Sequence, residues 1–239
     1  MLISKKISRE TQFRIEQAFF KLIYYTCRVL PQSSVLRFGT KLGNLAWRWK
    51  MSTSASVENM RIALGHKFSP EEIQDIAKRC YQHFGIEIMR VIIMDRQAKR
   101  PISDWFDIEG LDLIKNRSKP GCVMVGGHIG CWEVTNFLIP QLGEKTTLFS
   151  GKHANQVVGN WLDDIRRKAG MDTLSSGDNR VELVERTKKE VIALLGDFRP
   201  SKAAIEVEFF GRKTGAPQGP ALLSLLNDVD LFYFSCVKV

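Results

Sequence analysis

The chain has 239 residues, with 35 Lys and Arg against 26 Asp and Glu, a net charge of +9. Its 44% hydrophobic and 26% charged residues supply enough apolar side chain for a core, which excludes wholesale disorder and collagen-like or mucin-like composition. The length suits one larger domain, or one domain with an appendage. The charge is unevenly placed: residues 1–50 hold ten Lys/Arg and two Asp/Glu, and the rest of the chain is close to balance. A basic segment ahead of a near-neutral body points to an anionic surface as partner, either nucleic acid or a lipid bilayer. The five cysteines (Cys27, Cys80, Cys122, Cys131 and Cys236) are scattered and form no C-x-x-C pair. Neither a disulfide framework nor a metal site is expected, and the compartment is expected to be reducing.

Residues 11–30 predict a helix with Phe13, Ile15, Phe19, Phe20, Leu22, Ile23 and Val29 as apolar bulk, interrupted by Lys21 and Arg28 and ended by Pro31. No uncharged run approaches the roughly 20 apolar residues of a spanning helix, and no small-residue cleavage site follows. A helix lying in the bilayer interface fits best, with Arg9, Arg14, Lys21 and Arg28 toward anionic head groups. A marginal span with a snorkelling Lys21, or a basic helix packed on its own domain, are the alternatives. Residues 33–50 continue in this style, setting Leu36, Leu42, Leu45, Trp47 and Trp49 among Arg37, Lys41, Arg48 and Lys50. Residues 1–50 are therefore expected to form a helical membrane-associating segment, of which 1–30 should be dispensable for the fold. Residues 51–239 form the second region, with a helical lead-in over 51–104.

Ser69-Pro70-Glu71-Glu72 has the form of a capping box with Pro at the first helical position. Ile73, Ile76, Ala77, Cys80, Phe84, Ile88 and Val91 follow at helical spacing, predicting a long amphipathic helix to about Met94. From Trp105 onward short apolar runs alternate with helical stretches. Strands are expected at 105–109, 121–125, 146–150, 171–175, 191–195, 204–210 and 230–238. Helices are expected at 110–116, 131–140, 155–169, 179–189 and 219–227, with a Gly/Pro loop before the last. This rhythm predicts an α/β fold, a mostly parallel twisted sheet flanked by helices. The chain stops at Ser235-Cys236-Val237-Lys238-Val239, inside an apolar run, which reads either as a sheet edge or as a shortened form of a longer chain.

The strand Cys122-Val123-Met124-Val125 runs into Gly126-Gly127-His128-Ile129-Gly130-Cys131-Trp132-Glu133. In open α/β sheets ligands bind at the carboxyl ends of strands, and glycines there let the backbone turn sharply. His128 falls at that rim and Glu133 in the first turns of the next helix. On one continuous helix a five-residue separation would turn the two side chains about 140° apart. They meet only if His128 precedes the helix, which Gly130 permits. A carboxylate on one imidazole nitrogen fixes the tautomer and leaves the other nitrogen to take a proton from a hydroxyl. Two other accounts compete: His128 satisfied by backbone groups, and a Cys131–His128 nucleophilic pair.

Strand-Gly-His-x-Gly-x-Trp-Glu resembles the hallmark of the bacterial lipid A biosynthesis acyltransferases, a His and a carboxylate separated by four residues. The resemblance runs from about Leu30 to the end. It takes in Glu58-Asn59-Met60-Arg61-Ile62-Ala63-Leu64, Asn155, Arg166 with Gly170, Gly196-Asp197, and Phe209-Phe210-Gly211-Arg212 with Gly219-Pro220-Ala221. Cys131 stands where Asn is common, Asp197-Phe198-Arg199 replaces Asp-Gln, Ala216 occupies a place often held by Thr, and the family's basic and aromatic C-terminal stretch does not follow Val239. What the resemblance implies is O-acyl transfer from an acyl-carrier-protein or coenzyme A thioester to a hydroxyl of a membrane glycolipid such as a lipid A precursor, with no other cofactor. It implies His128 as general base oriented by Glu133, Arg166 near a phosphate or the developing oxyanion, and Asn155, Asp197 and Arg212 toward the substrates. It also implies the cytoplasmic face of a bacterial inner membrane as location. A lipid-binding homologue with impaired turnover is the alternative. The basic N-terminus alone would also fit a nucleic-acid-binding protein, but no helix-turn-helix, zinc finger or aromatic RNA-binding motif accompanies it, so nucleic acid is not expected as a partner.

Overall fold

A computed structural model describes residues 9–97, 100–104, 106–151, 155–177, 180–198 and 204–237. Every element over residues 9–97 is a helix: α1 (Arg9–Val29), α2 (Gln32–Arg48), α3 (Thr53–Leu64), α4 (Pro70–Ile92) and the short α5 (Met94–Gln97). The capping box forms as its residue types require: the Ser69 hydroxyl accepts the Glu72 N–H, and the Glu72 carboxylate accepts the Ser69 N–H. α2 and α4 cross with almost no side chain between them. A Cβ on Gly43 would stand 2.2 Å from the Tyr81 carbonyl oxygen, and one on Gly85 would stand 2.2 Å from that of Gly39. Gly43→Ala should therefore destabilise the protein by about 2 kcal/mol, because the backbones must separate. That corresponds to a fall of about 4–8 °C in Tm, read by calorimetry.

After α6 (Leu111–Lys115) come β1 (Cys122–Gly126), α7 (Trp132–Gln141), β2 (Thr146–Ser150), α8 (Gln156–Lys168), β3 (Met171–Ser175), α9 (Arg180–Thr187) and β4 (Val191–Leu195). A hairpin of β5 (Ala204–Phe209) and β6 (Arg212–Pro217), then α10 (Gly219–Asn227) and β7 (Asp230–Tyr233), complete the described elements. The main sheet has the order β3-β2-β4-β1-β7, and every pairing in it is parallel. Its central strands are near-continuous apolar runs because both faces are covered. Val123, Ile192 and Leu194 pack with Leu183 and Val184 of α9 and Leu223 of α10. On the opposite face Leu148 and Ala193 join Phe137 of α7 and Ile165 of α8.

Two expectations are corrected. Residues 106–109 form no strand, and Trp105 lies outside the described residues. Arg212–Pro217 is a strand and not a loop, paired antiparallel with β5 in a ribbon separate from the main sheet. The expectation that residues 1–30 can be removed without harm to the fold meets a buried face on α1. Tyr24 and Cys27 of α1 are buried in one cluster with Phe137, Leu148, Ile165 and Met171, so removing them would open the core. Only the opposite faces of α1 and α2 are left outward.

From β1 the chain crosses by α7 and α8 on one face to β2 and β3. It returns by α9 on the other face to β4, and by α10 to β7. β1 and β4 are neighbours whose connections leave on opposite faces, which opens a crevice at their carboxyl ends.

Candidate active site

Both walls of that crevice are short loops. The Gly196 N–H donates to the Gly126 carbonyl at 2.8 Å and ties the ends of β4 and β1 together. Beyond this tie, His128 and Asp197 face each other from adjacent strands. The His128 N–H donates to Asp197 Oδ2 at 2.7 Å, and the ring Nδ1 lies 2.8 Å from Asp197 Oδ1. An ionised carboxylate only accepts, so Nδ1 carries the hydrogen and Nε2 holds the lone pair. Gly127 leaves room for this clamp, since a Cβ there would come within 3.2 Å of Asp197 Oδ2. Burial raises the Asp197 carboxyl, but hydrogen bonds from the His128 backbone and ring outweigh it and hold the group below its ordinary value. The ring is also flanked by aromatics, with the Phe198 ring edge-on at 4.5 Å and the Trp132 ring tilted at 5.2 Å.

His128 does precede the helix, as the spacing requires. Gly130 sits at φ +59°, and a Cβ there would strike the Cys236 carbonyl at 1.7 Å, so glycine is needed for both conformation and space. The carboxylate that meets His128 is nevertheless Asp197 and not Glu133. Glu133, in the first turn of α7, is held by Arg166 of α8: Nη2 donates to Oε1 at 2.6 Å and Nε lies 3.4 Å from Oε2. The remaining Nη1 donates to Asp163 at 3.1 Å. The Arg166 side chain is only 4% exposed. Burial alone would lower the Arg166 pKa, but the two carboxylates outweigh it and hold the guanidinium charged. Where a phosphate or oxyanion is expected near Arg166, its guanidinium nitrogens are turned to Glu133 and Asp163. Its guanidinium is occupied as a buried strut between α7 and α8.

Two further expected residues lie elsewhere. Asn155 is the N-cap of α8: its side-chain oxygen accepts the Val158 N–H, and its amide donates to the Glu16 carboxylate of α1. Arg212 stands opposite Phe209 at the far end of the β5–β6 hairpin, where its charge acts on Glu58 of α3. The Cys131 thiol engages Cys236 and Glu87, and these contacts with burial raise its pKa, the reverse of what a nucleophilic pair with His128 needs. Sequence reasoning missed the direct His128–Asp197 contact, the aromatic flanks and Asp163. The available signal was Gly196-Asp197 at the end of a predicted strand. Among the described residues no three His, Cys, Asp or Glu side chains converge as metal ligands. A cavity of about 520 Å³ opens between α1 and α2, lined by Leu22, Ile23, Cys27, Leu30, Val35 and Phe38 with Arg37 and Lys41. It includes none of the dyad residues, so we place the chemistry by the His128–Asp197 geometry and not by cavity size.

A histidine clamped by a carboxylate from the next parallel strand, at the switch point of an α/β sheet, is a site equipped for proton transfer. The chain belongs to the bacterial lipid A biosynthesis acyltransferase family, whose model matches residues 6–237. Among curated proteins it is similar to a phosphatidylinositol mannoside acyltransferase of Mycolicibacterium smegmatis, at 25% identity over 173 residues. That match takes in 70% of this chain and 56% of the relative, so the chain spans little more than half the relative's length.

Proposed function

We propose that the protein transfers a fatty acyl group from a thioester, carried by acyl-carrier protein or coenzyme A, to a hydroxyl of a membrane glycolipid of the lipid A precursor type. The observation that carries this reading is the 2.8 Å contact of His128 Nδ1 with Asp197 in a member of this family. Nε2 takes the proton of the acceptor hydroxyl as its oxygen bonds to the thioester carbonyl carbon. The tetrahedral intermediate then expels the sulfur, which receives the proton from the imidazolium. One ester bond forms, one thioester bond breaks, and a free thiol leaves. Asp197 keeps the tautomer and steadies the positive charge that His128 carries in passing. Glu133 acts on the site through Arg166, by holding the start of α7 behind the His128 loop.

The outward faces of α1 and α2 support a membrane surface as the place of work. Ile15, Phe19, Leu22 and Val29 recur at helical spacing and are exposed, as are Phe38, Leu45 and Trp49. Basic Arg14, Lys21, Arg37, Lys41 and Arg48 stand among them. Among the described residues no helix is long and apolar enough to cross a membrane. The proposal therefore rests on an interfacial contact, on the cytoplasmic leaflet where an acyl thioester is available. Incubated with an acyl thioester and vesicles bearing a glycolipid with free hydroxyls, the protein should yield lipid heavier by one acyl group and an equal amount of free thiol. Thiol without acylated lipid, or neither product, would end this reading.

A further inference from the structure

The β5–β6 ribbon leaves the sheet beside the site and carries its apolar residues outward. Pro217 at its base is three residues from Pro220, whose ring lies 3.9 Å from the place a Gly196 Cβ would take. Its tip is about 17 Å farther along the strands. Strand alternation sets Ile205, Val207 and Phe209 on one face and Glu206 and Glu208 on the other. Ile205, Phe209 and Phe210 are exposed, at 48%, 64% and 56%. Phe209 and Phe210 meet edge to face at 4.5 Å, so each is the other's aromatic neighbour at the exposed tip.

The turn makes this placement expensive. Phe209 pairs with Arg212 across a two-residue turn, in which Phe210 has φ +50° and Gly211 φ +69°. A turn with both central residues at positive φ favours Asn-Gly, because Asn tolerates the left-handed region and a bulky side chain does not. Phe210 thus occupies a position where its backbone is strained and where its side chain gains little burial from the described residues. Strain kept without a packing return points to a role outside the fold. Next to the aromatics stand Arg212, whose charge reaches Glu58, and Lys213, whose only described ion pair is an exposed one to Glu206 at 2.7 Å. Exposed pairs of this kind hold weakly and exchange readily for phosphate oxygens. Aromatic rings at a tip with cations two and three residues beyond Phe210 match a bilayer interface, rings at the acyl boundary and cations among anionic head groups.

We propose that the Phe209–Phe210 tip inserts into an anionic bilayer, as a membrane contact far in sequence from α1 and α2. For the identity of the surface this rests on the lipid acyltransferase reading. The insertion steadies the ribbon, which as an isolated two-stranded hairpin is only marginally stable, and fixes the rim of the crevice relative to the lipid. Phe210→Asn tests it without harm to the turn, since Asn is the residue the turn prefers. Phe210→Trp keeps the aromatic ring. In sedimentation with mixed phosphatidylcholine–phosphatidylglycerol vesicles, Phe210→Asn should lower partitioning about tenfold, the loss of one partly inserted ring, and Phe210→Trp should partition at least as well as the parent. Amide exchange at Gly211 and Arg212 of the parent should slow when vesicles are added. Equal partitioning of the Asn variant, unchanged exchange at the tip, or protection that follows protein concentration without vesicles would overturn the proposal, the last by assigning the tip to a second copy. Sedimentation involves no chemistry, so a parent that binds through the tip but transfers no acyl group fails the functional reading alone. A parent that transfers acyl groups with an Asn variant that binds normally fails this proposal alone.

Discussion

Asp197→Asn should lower acyl transfer by two to four powers of ten, the range for loss of a positioned acid–base group, while the protein stays folded. The substitution is nearly isosteric, and an Asn carbonyl can still accept the His128 N–H that Asp197 Oδ2 accepts at 2.7 Å. What changes is the partner of Nδ1. An amide NH2 presented there donates, so Nδ1 must become the acceptor and the hydrogen moves to Nε2, the nitrogen that has to receive the proton. His128→Ala should cost as much, and the double variant little more than either alone, because a dyad fails as a unit. Additive losses would separate the two residues and end the assignment. Stability gives a second measure. Asp197 has its pKa lowered in the folded state, so its stabilising contribution is full above the ordinary carboxylate value and is lost as pH falls through the lowered one. The Tm of the parent should therefore drop on acidification by more than that of Asp197→Asn. A constant difference between the two across the acid range would contradict the pairing.

Why Asp197 was visible in the sequence but not its role follows from what a linear pattern records. The capping box at Ser69, the amphipathic α4 and the buried runs of β1 and β4 are local features, set by spacing and residue type, and each formed close to its expected limits. That β4 lies against β1 is a matter of strand order, which a parallel sheet leaves to crossovers of a dozen residues or more. Without that order, Glu133 was the nearest carboxylate to His128 in sequence and Asp197 belonged to another strand. The glycines tell the same story on the helical side. Gly39, Gly43 and Gly85 matter only because α2 lies on α4, and their spacing within each helix says nothing of the other. The β5–β6 ribbon was half legible: Ala204–Phe209 alternates as a strand should, but Arg-Lys-Thr-Gly-Ala-Pro does not, and it pairs because its partner strand holds it.

The buried strut gives the second large effect. Glu133→Leu leaves the Arg166 guanidinium, 4% exposed, with Asp163 as its remaining carboxylate. Removing one partner of a buried ion pair costs about 3 kcal/mol or more, because the charge left behind is neither solvated nor balanced. Here that is a fall of about 6–12 °C in Tm. Activity should fall as well, by displacement of the first turn of α7 and with it the loop that presents His128. The two ways in which Glu133 could matter separate in the double variant Glu133→Leu with Arg166→Met. Replacing both charges with apolar side chains of similar volume removes the uncompensated guanidinium and restores much of the lost stability. If Glu133 is a positioning residue, transfer recovers with the Tm, since the Asp197 clamp on His128 is untouched. If its carboxylate touched the reacting atoms, the double variant would be as stable as the parent and still inactive, and the assignment of Glu133 to the strut would fall.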